Sequence, residues 1–89
     1  MRKYHAAYYV DPESKWYSAQ VLDFPGAISQ GRTLRSARVM IRDALKLLAQ
    51  SLLEAGEPLP TPRAVTKPKK ADFFEAIPLS FRVQTPSAK

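Results

Sequence analysis

Between Thr33 and Gly56 the apolar residues Leu34, Ala37, Met40, Ile41, Ala44, Leu45, Leu48 and Leu52 return at the i, i+3, i+4, i+7 spacing of one helical face. No other stretch of the chain carries this rhythm. One helix with one apolar side must lie on something, and the rest of the chain offers strands. Thr33 has the hydroxyl of an N-cap. Ser36 stands where a capping box has Glu or Gln, so the box reads as incomplete. Gly56 suits the C′ position and Pro58 follows, which predicts a helix over Leu34 to Ala55, about 33 Å long at ~1.5 Å per residue.

The flanking segments alternate. Lys3 to Val10 reads as a strand, with Tyr4, Ala6, Tyr8 and Val10 on one face and His5, Ala7 and Tyr9 on the other. Asp11-Pro12-Glu13-Ser14 supplies turn chemistry. Trp16 to Leu22 is a second strand, paired antiparallel with the first as a hairpin. Asp23-Phe24-Pro25-Gly26 is a second break, with Gly26 in the φ > 0 position of a type II turn. A short third strand runs from Ala27 to Gln30. After the helix, residues 57–70 hold Pro58, Pro60, Pro62 and Pro68 and then Lys67, Lys69 and Lys70, which reads as an extended linker. From Phe73 the chain turns apolar again, and Ile77, Leu79, Phe81 and Val83 share one parity of a fourth strand. Pro78 lacks a ladder N–H and puts that strand at an edge or its start at a bulge. The order is β-β-β-α-β, an α+β fold with one long helix on one face of the sheet. Residues 1–84 form one domain and 85–89 a tail.

A chain of 89 residues has no room for a second core, and its marginal burial favours self-association as a dimer or tetramer. Cysteine is absent, so there is neither a disulfide framework nor a thiolate metal site. No segment approaches the ~18 apolar residues of a membrane span, and the N-terminus lacks the apolar core of a signal peptide. A cytoplasmic location is expected. The formal charge of +6 favours nucleic acid, an acidic protein or an anionic surface as partner.

Residues that would carry catalysis are scarce. A two-metal nuclease needs clustered carboxylates, whereas Asp11, Glu13 and Asp23 fall in turns and Asp43 on the polar side of the helix. His5 is the only histidine and reads as a surface or half-buried strand residue. The three glycines form no phosphate loop. No catalytic, metal or cofactor-binding residue is assigned, and no cofactor is expected. Two features remain. Arg35, Arg38, Arg42 and Lys46 gather in a helical arc of roughly 80°, with no acid at i+4 to neutralise them. They form either a solvated face or a basic ridge for an acidic partner or a phosphate backbone. The hairpin aromatics fall on both faces of the sheet. Those not under the helix mark a protein interface, a stacking platform for bases, or cross-strand packing.

The ordered set of an aromatic first strand, Trp16-Tyr17-x-Ala19, Asp23-x-Pro25-Gly26, Gly31-x-Thr33 opening a helix with Ala37 inside it, and Gly56-Glu57-Pro58-Leu59-Pro60 resembles the HicB-like antitoxin family from about Tyr4 to Pro62. The resemblance implies a truncated ribonuclease-H-like fold: a three-stranded antiparallel meander, a helix, and a fourth strand parallel to the first. It implies a non-catalytic module that occludes a HicA-type mRNA interferase toxin by masking its catalytic histidine. Arg32, Arg35 and Arg38 stand where relatives often carry acids. The expected partner or oligomer interface is Tyr9, Trp16, Phe24 and Phe81. The alternative is a sequence-independent nucleic-acid-binding protein using the Arg35, Arg38, Arg42 and Lys46 ridge.

Overall fold

The computed structural model describes residues 2–79. The elements are β1 (Arg2–Val10), β2 (Tyr17–Val21), β3 (Ile28–Gly31), α1 (Leu34–Glu54) and β4 (Phe73–Leu79). They make one sheet in the order β3-β2-β1-β4, with α1 on one face. The expected β-β-β-α-β order and the α+β class hold. Phe81, Val83 and the expected tail lie outside the described residues.

The helix forms where the apolar rhythm requires it. Thr33 is the N-cap. The capping box is complete, contrary to expectation. Ser36 N–H donates to Thr33 Oγ1 at 3.0 Å, and Thr33 N–H donates to Ser36 Oγ at 3.0 Å. Helical side chains tilt toward the N-terminus, so even the short serine hydroxyl reaches back to the cap. At the other end Gly56, at φ +74°, donates to the Leu53 carbonyl at 3.1 Å, and Glu57 N–H donates to the Leu52 carbonyl at 2.9 Å. This is a Schellman ending, and it needs a residue that tolerates positive φ. Ala37, Ile41, Leu45 and Ala49 form the buried stripe. Met40, expected within it, is exposed, because it lies about 100° around the helix from Ile41.

The sheet meets this stripe with Tyr4, Ala6 and Tyr8 of β1, Ala19 and Val21 of β2, and Ile77 and Leu79 of β4, all buried. Alanines on both surfaces let the helix and strands approach, while Tyr4, Phe24, Ile41 and Leu45 fill the remaining volume. Gly31 sets the closest approach. A Cβ there would lie 2.3 Å from Ser36 Oγ and 2.5 Å from Ala37 N.

One expectation is corrected. β4 runs antiparallel to β1, from Tyr8↔Phe73 to Arg2↔Leu79, not parallel to it. The cause is the linker. The helix carries the chain back to the Arg2–Tyr4 end of β1, where the Pro60 carbonyl accepts from Tyr4 Oη at 2.6 Å and from Arg2 at 3.1 Å. The proline-rich segment then travels the length of the sheet again. It passes Asp23, which accepts from Arg63 N–H at 3.2 Å, and ends where Asp72 N–H donates to the Tyr8 carbonyl at 2.8 Å. A parallel strand would need the chain to enter at the Tyr4 end. The strap consumes that direction and delivers β4 from the opposite end. β4 is an edge strand, as Pro78 requires.

Candidate functional site

Strand alternation puts Ala7 and Tyr9 of β1, Ser18 and Gln20 of β2, Ile28 and Gln30 of β3, and Phe74 of β4 on the face away from the helix. One row across the sheet is Gln30, Ser18 and Tyr9; the next is Ile28, Gln20, Ala7 and Phe74. Ala7 is buried, whereas Ile28 is 64% exposed. At the hairpin end this face opens into a cleft of about 470 Å³ lined by Tyr9, Asp11, Trp16, Ser18 and Gln30 among others.

The β1–β2 turn builds the wall of that cleft. Asp11 Oδ1 accepts from Glu13 N–H at 2.8 Å and from Ser14 N–H at 3.4 Å. The Glu13 bond, then the Ser14 bond, hold its carboxyl below the usual range. Lys15 turns the chain back at φ +68°, a left-handed conformation for a non-glycine residue. Asp11 N–H can then donate to the Trp16 carbonyl at 2.8 Å. Trp16 is left 39% exposed, with the Arg32 guanidinium 5.4 Å from its ring centroid. That cation–π contact orients the indole without covering it.

At the opposite end Asp23 is a junction. Its side chain is buried. Oδ1 accepts from His5 N–H at 2.8 Å; Oδ2 lies 2.8 Å from His5 Nδ1 and accepts from Arg63 N–H at 3.2 Å. Burial alone would raise this carboxyl; the bonds from the His5 backbone, the His5 ring and Arg63 outweigh it and hold it below the usual range. The ring of His5 also stacks on Phe74, 5.9 Å between centroids and 13° between planes. His5 is thus the half-buried strand residue expected. Asp23 is committed to protein donors, Asp11 to its own turn, and Asp43 is exposed on α1. The carboxylates do not converge.

The expected interface residues separate. Tyr9 and Trp16 come together in the cleft. Phe24 is corrected: it is 1% exposed and packs edge-on against Tyr4 at 5.1 Å, so it belongs to the core. It follows directly on Asp23, and the turn closed by Ala27 N–H to the Phe24 carbonyl at 3.2 Å folds its ring inward. Phe81 lies outside the described residues.

The basic ridge is partly answered by a residue that sequence reasoning missed. Glu75 of β4 accepts from Arg38 Nε at 3.0 Å and from its terminal nitrogen at 2.9 Å, a two-pronged pair, and lies 3.6 Å from Arg42. It also accepts from Tyr8 Oη at 2.6 Å. Burial opposes ionisation of Glu75, but the bonds from Tyr8 and Arg38 and the two guanidinium charges prevail and lower its pKa. Burial, then the bond to and charge of Glu75, push the Tyr8 phenol strongly upward. The signal was available: Glu75 has the parity of Phe73, Ile77 and Leu79, an acid on the inward phase of a strand. Arg35 and Lys46 are exposed and make no ion pair among the described residues.

A family model described as the HicB_like antitoxin of bacterial toxin-antitoxin system matches residues 5–84. The chain belongs to the HicB-like antitoxin family. Among solved structures it is similar to the N-terminal domain of the Burkholderia pseudomallei antitoxin HicB. The TM-score is 0.75 at 24% identity over 89% of this chain and 99% of that one. It is also similar to the B. pseudomallei antitoxin HicB itself, with a TM-score of 0.72 at 26% identity over 97% of this chain and 76% of that one. No curated protein sequence matches the chain. The family match spans Tyr9, Trp16 and the Asp23 junction, so both ends of the open face fall within the HicB-like region. Among the described residues no helix is long and apolar enough to cross a membrane.

Proposed function

We propose that this HicB-like chain is a non-catalytic antitoxin that docks a HicA-type mRNA interferase toxin on the sheet face away from α1 and so covers the toxin's catalytic surface. The observation that carries this reading is the hairpin cleft. Its aromatic walls, Tyr9 and Trp16, stand beside the hydroxyl and amide groups of Ser18 and Gln30. Protein interfaces favour amphipathic rings of this kind at their centres, with polar groups around them. The ring of Trp16 is pre-oriented by Arg32, so little side-chain freedom is lost on binding. The covered face is filled by its own helix; the open face carries the cleft. Docking takes place in the cytoplasm, and the chain forms a dimer or tetramer.

The test is binding of a purified HicA-type toxin, measured by calorimetry, with growth of cells expressing both as the second readout. The intact chain binds and restores growth. Trp16→Ala and Tyr9→Ser weaken binding roughly tenfold or more each, as buried aromatic anchors do, with circular dichroism unchanged. Binding that ignores both substitutions would place the interface elsewhere. Sedimentation equilibrium checks the assembly, and a monomer of 10.0 kDa at all concentrations contradicts it.

A further inference from the structure

The helix does not sit centrally on its sheet. It packs mainly against β3 and β2, and its flank reaches β4 through the Glu75 pairs with Arg38 and Arg42. A groove is left between the flank of α1 and the edge strand. Along this flank Arg35, Arg38, Arg42 and Lys46 run over about 16 Å of helix, and Arg38 and Arg42 face the edge strand through Glu75. At its head is a hollow of about 230 Å³ whose lining includes Tyr8, Leu34, Arg38, Phe73 and Glu75. Phe73 is 46% exposed at its edge. Tyr17 reaches the Phe73 ring at 6.4 Å between centroids and steadies it.

The geometry points to single-stranded nucleic acid as the occupant of this groove, with phosphates on the ridge and a base against Phe73. Three observations carry the choice. Glu75 is the only carboxylate paired with the ridge among the described residues, so four cations meet one anion. That anion grips Arg38 by two nitrogens and pre-orders it, while Arg35 and Lys46 stay exposed. The strap feeding β4 carries Lys67, Lys69 and Lys70 with no acid between Glu57 and Asp72, which keeps the chain strongly basic, while Arg63 is held at Asp23 and Leu22. A row of cations along a rigid rod suits a phosphate chain, and an exposed ring beside it suits a stacked base. A duplex keeps its bases stacked inside and cannot use Phe73. An acidic protein would use the cations and leave the ring idle. The groove lies on the opposite side of the sheet from the Tyr9–Trp16 cleft and does not depend on toxin docking.

The experiment titrates the whole chain with a labelled oligothymidylate of about ten nucleotides, a duplex of equal length and a polyglutamate peptide, at roughly 50 and 200 mM salt. Binding to the single strand falls about tenfold or more between the two salts, as neutralising three phosphates requires. The double variant Arg35→Glu/Lys46→Glu binds about tenfold more weakly, and Phe73→Ala roughly fivefold more weakly. Both changes are on exposed positions, and Glu in the first turn favours the helix. Should the charge reversal disturb the circular dichroism spectrum, Arg35→Gln/Lys46→Gln replaces it. No binding at the lower salt overturns the inference, as does a double variant that binds like the parent. Duplex binding as tight as the single strand, or polyglutamate competing equally well, overturns it too.

Discussion

The two faces of the sheet are built from the same strands and use opposite composition rules. Under the helix, β1 presents Tyr4, Ala6 and Tyr8, and large and small residues interlock with Ala37, Ile41, Leu45 and Ala49. On the other side the neighbouring positions hold Tyr9, Ser18, Gln20 and Gln30, with Ile28 exposed. A one-residue step along a strand moves from a filled core to an open surface. With the toxin docked as proposed, stability and recognition are separable, side chain by side chain, and substitutions on the two faces should fail in different ways.

The largest effect belongs to the covered face. Leu45→Ala should cost about 2–5 kcal/mol in urea unfolding, the range for an unfilled core cavity, and should lower toxin binding only as far as it unfolds the chain. A change in affinity at full folding would blur the separation. Next is Asp23, which links both faces. Asp23→Asn keeps one acceptor oxygen but loses the charge, and should cost about 1–3 kcal/mol at neutral pH. Its pKa is lowered by folding, as is that of Glu75. The folded state then binds fewer protons than the unfolded one. The stability these carboxyls add is present above their ordinary values, 3.8 and 4.5, and is lost as pH falls through the lowered folded values. The urea midpoint should drop in that acid window, and less steeply in Asp23→Asn.

Gly31→Ala should cost about 1–3 kcal/mol, because its Cβ would strike Ser36 and the Ala37 backbone and lift the start of the helix. A thermal melt checks it; an unchanged midpoint would show that the helix is not seated on β3 as described. The smallest stability effect belongs to Trp16→Ala on the open face, within about 0.5 kcal/mol, although its effect on binding should be large. A strongly destabilised Trp16→Ala would make the indole a core residue and remove the contrast.

Much of the fold was legible because local rules governed it. The helical stripe, the Gly56 ending and the Pro25-Gly26 turn all depend on residues a few positions apart, and each stands where the spacing put it, Met40 of the stripe excepted. The direction of β4 was not legible, since it depends on how far an irregular strap travels, and that path is held by Asp23 and Pro60 through contacts with distant residues. The candidate site divides the same way. Tyr9 follows from strand parity; Trp16, expected to open the second strand, lies one residue before β2 and joins Tyr9 in the cleft through the turn. Phe24 was misplaced because a turn residue has no parity to read. Glu75 was overlooked as the partner of Arg38 because the pair spans 37 positions, although its phase beside Ile77 marked it as inward.

The strap has a consequence for how the protein is made. Strand β1 leaves the ribosome before the elements it pairs with, and its second neighbour arrives only when residues 73–79 have been translated. The hairpin and the helix can form from nearby residues; the last ladder joins segments about seventy positions apart and waits for both. Until then the backbone of Lys3 to Tyr8 offers unsatisfied donors and acceptors to any extended segment nearby. A nascent chain stalled before Phe73 would be sticky along that margin, and the arrival of β4 is what seals it.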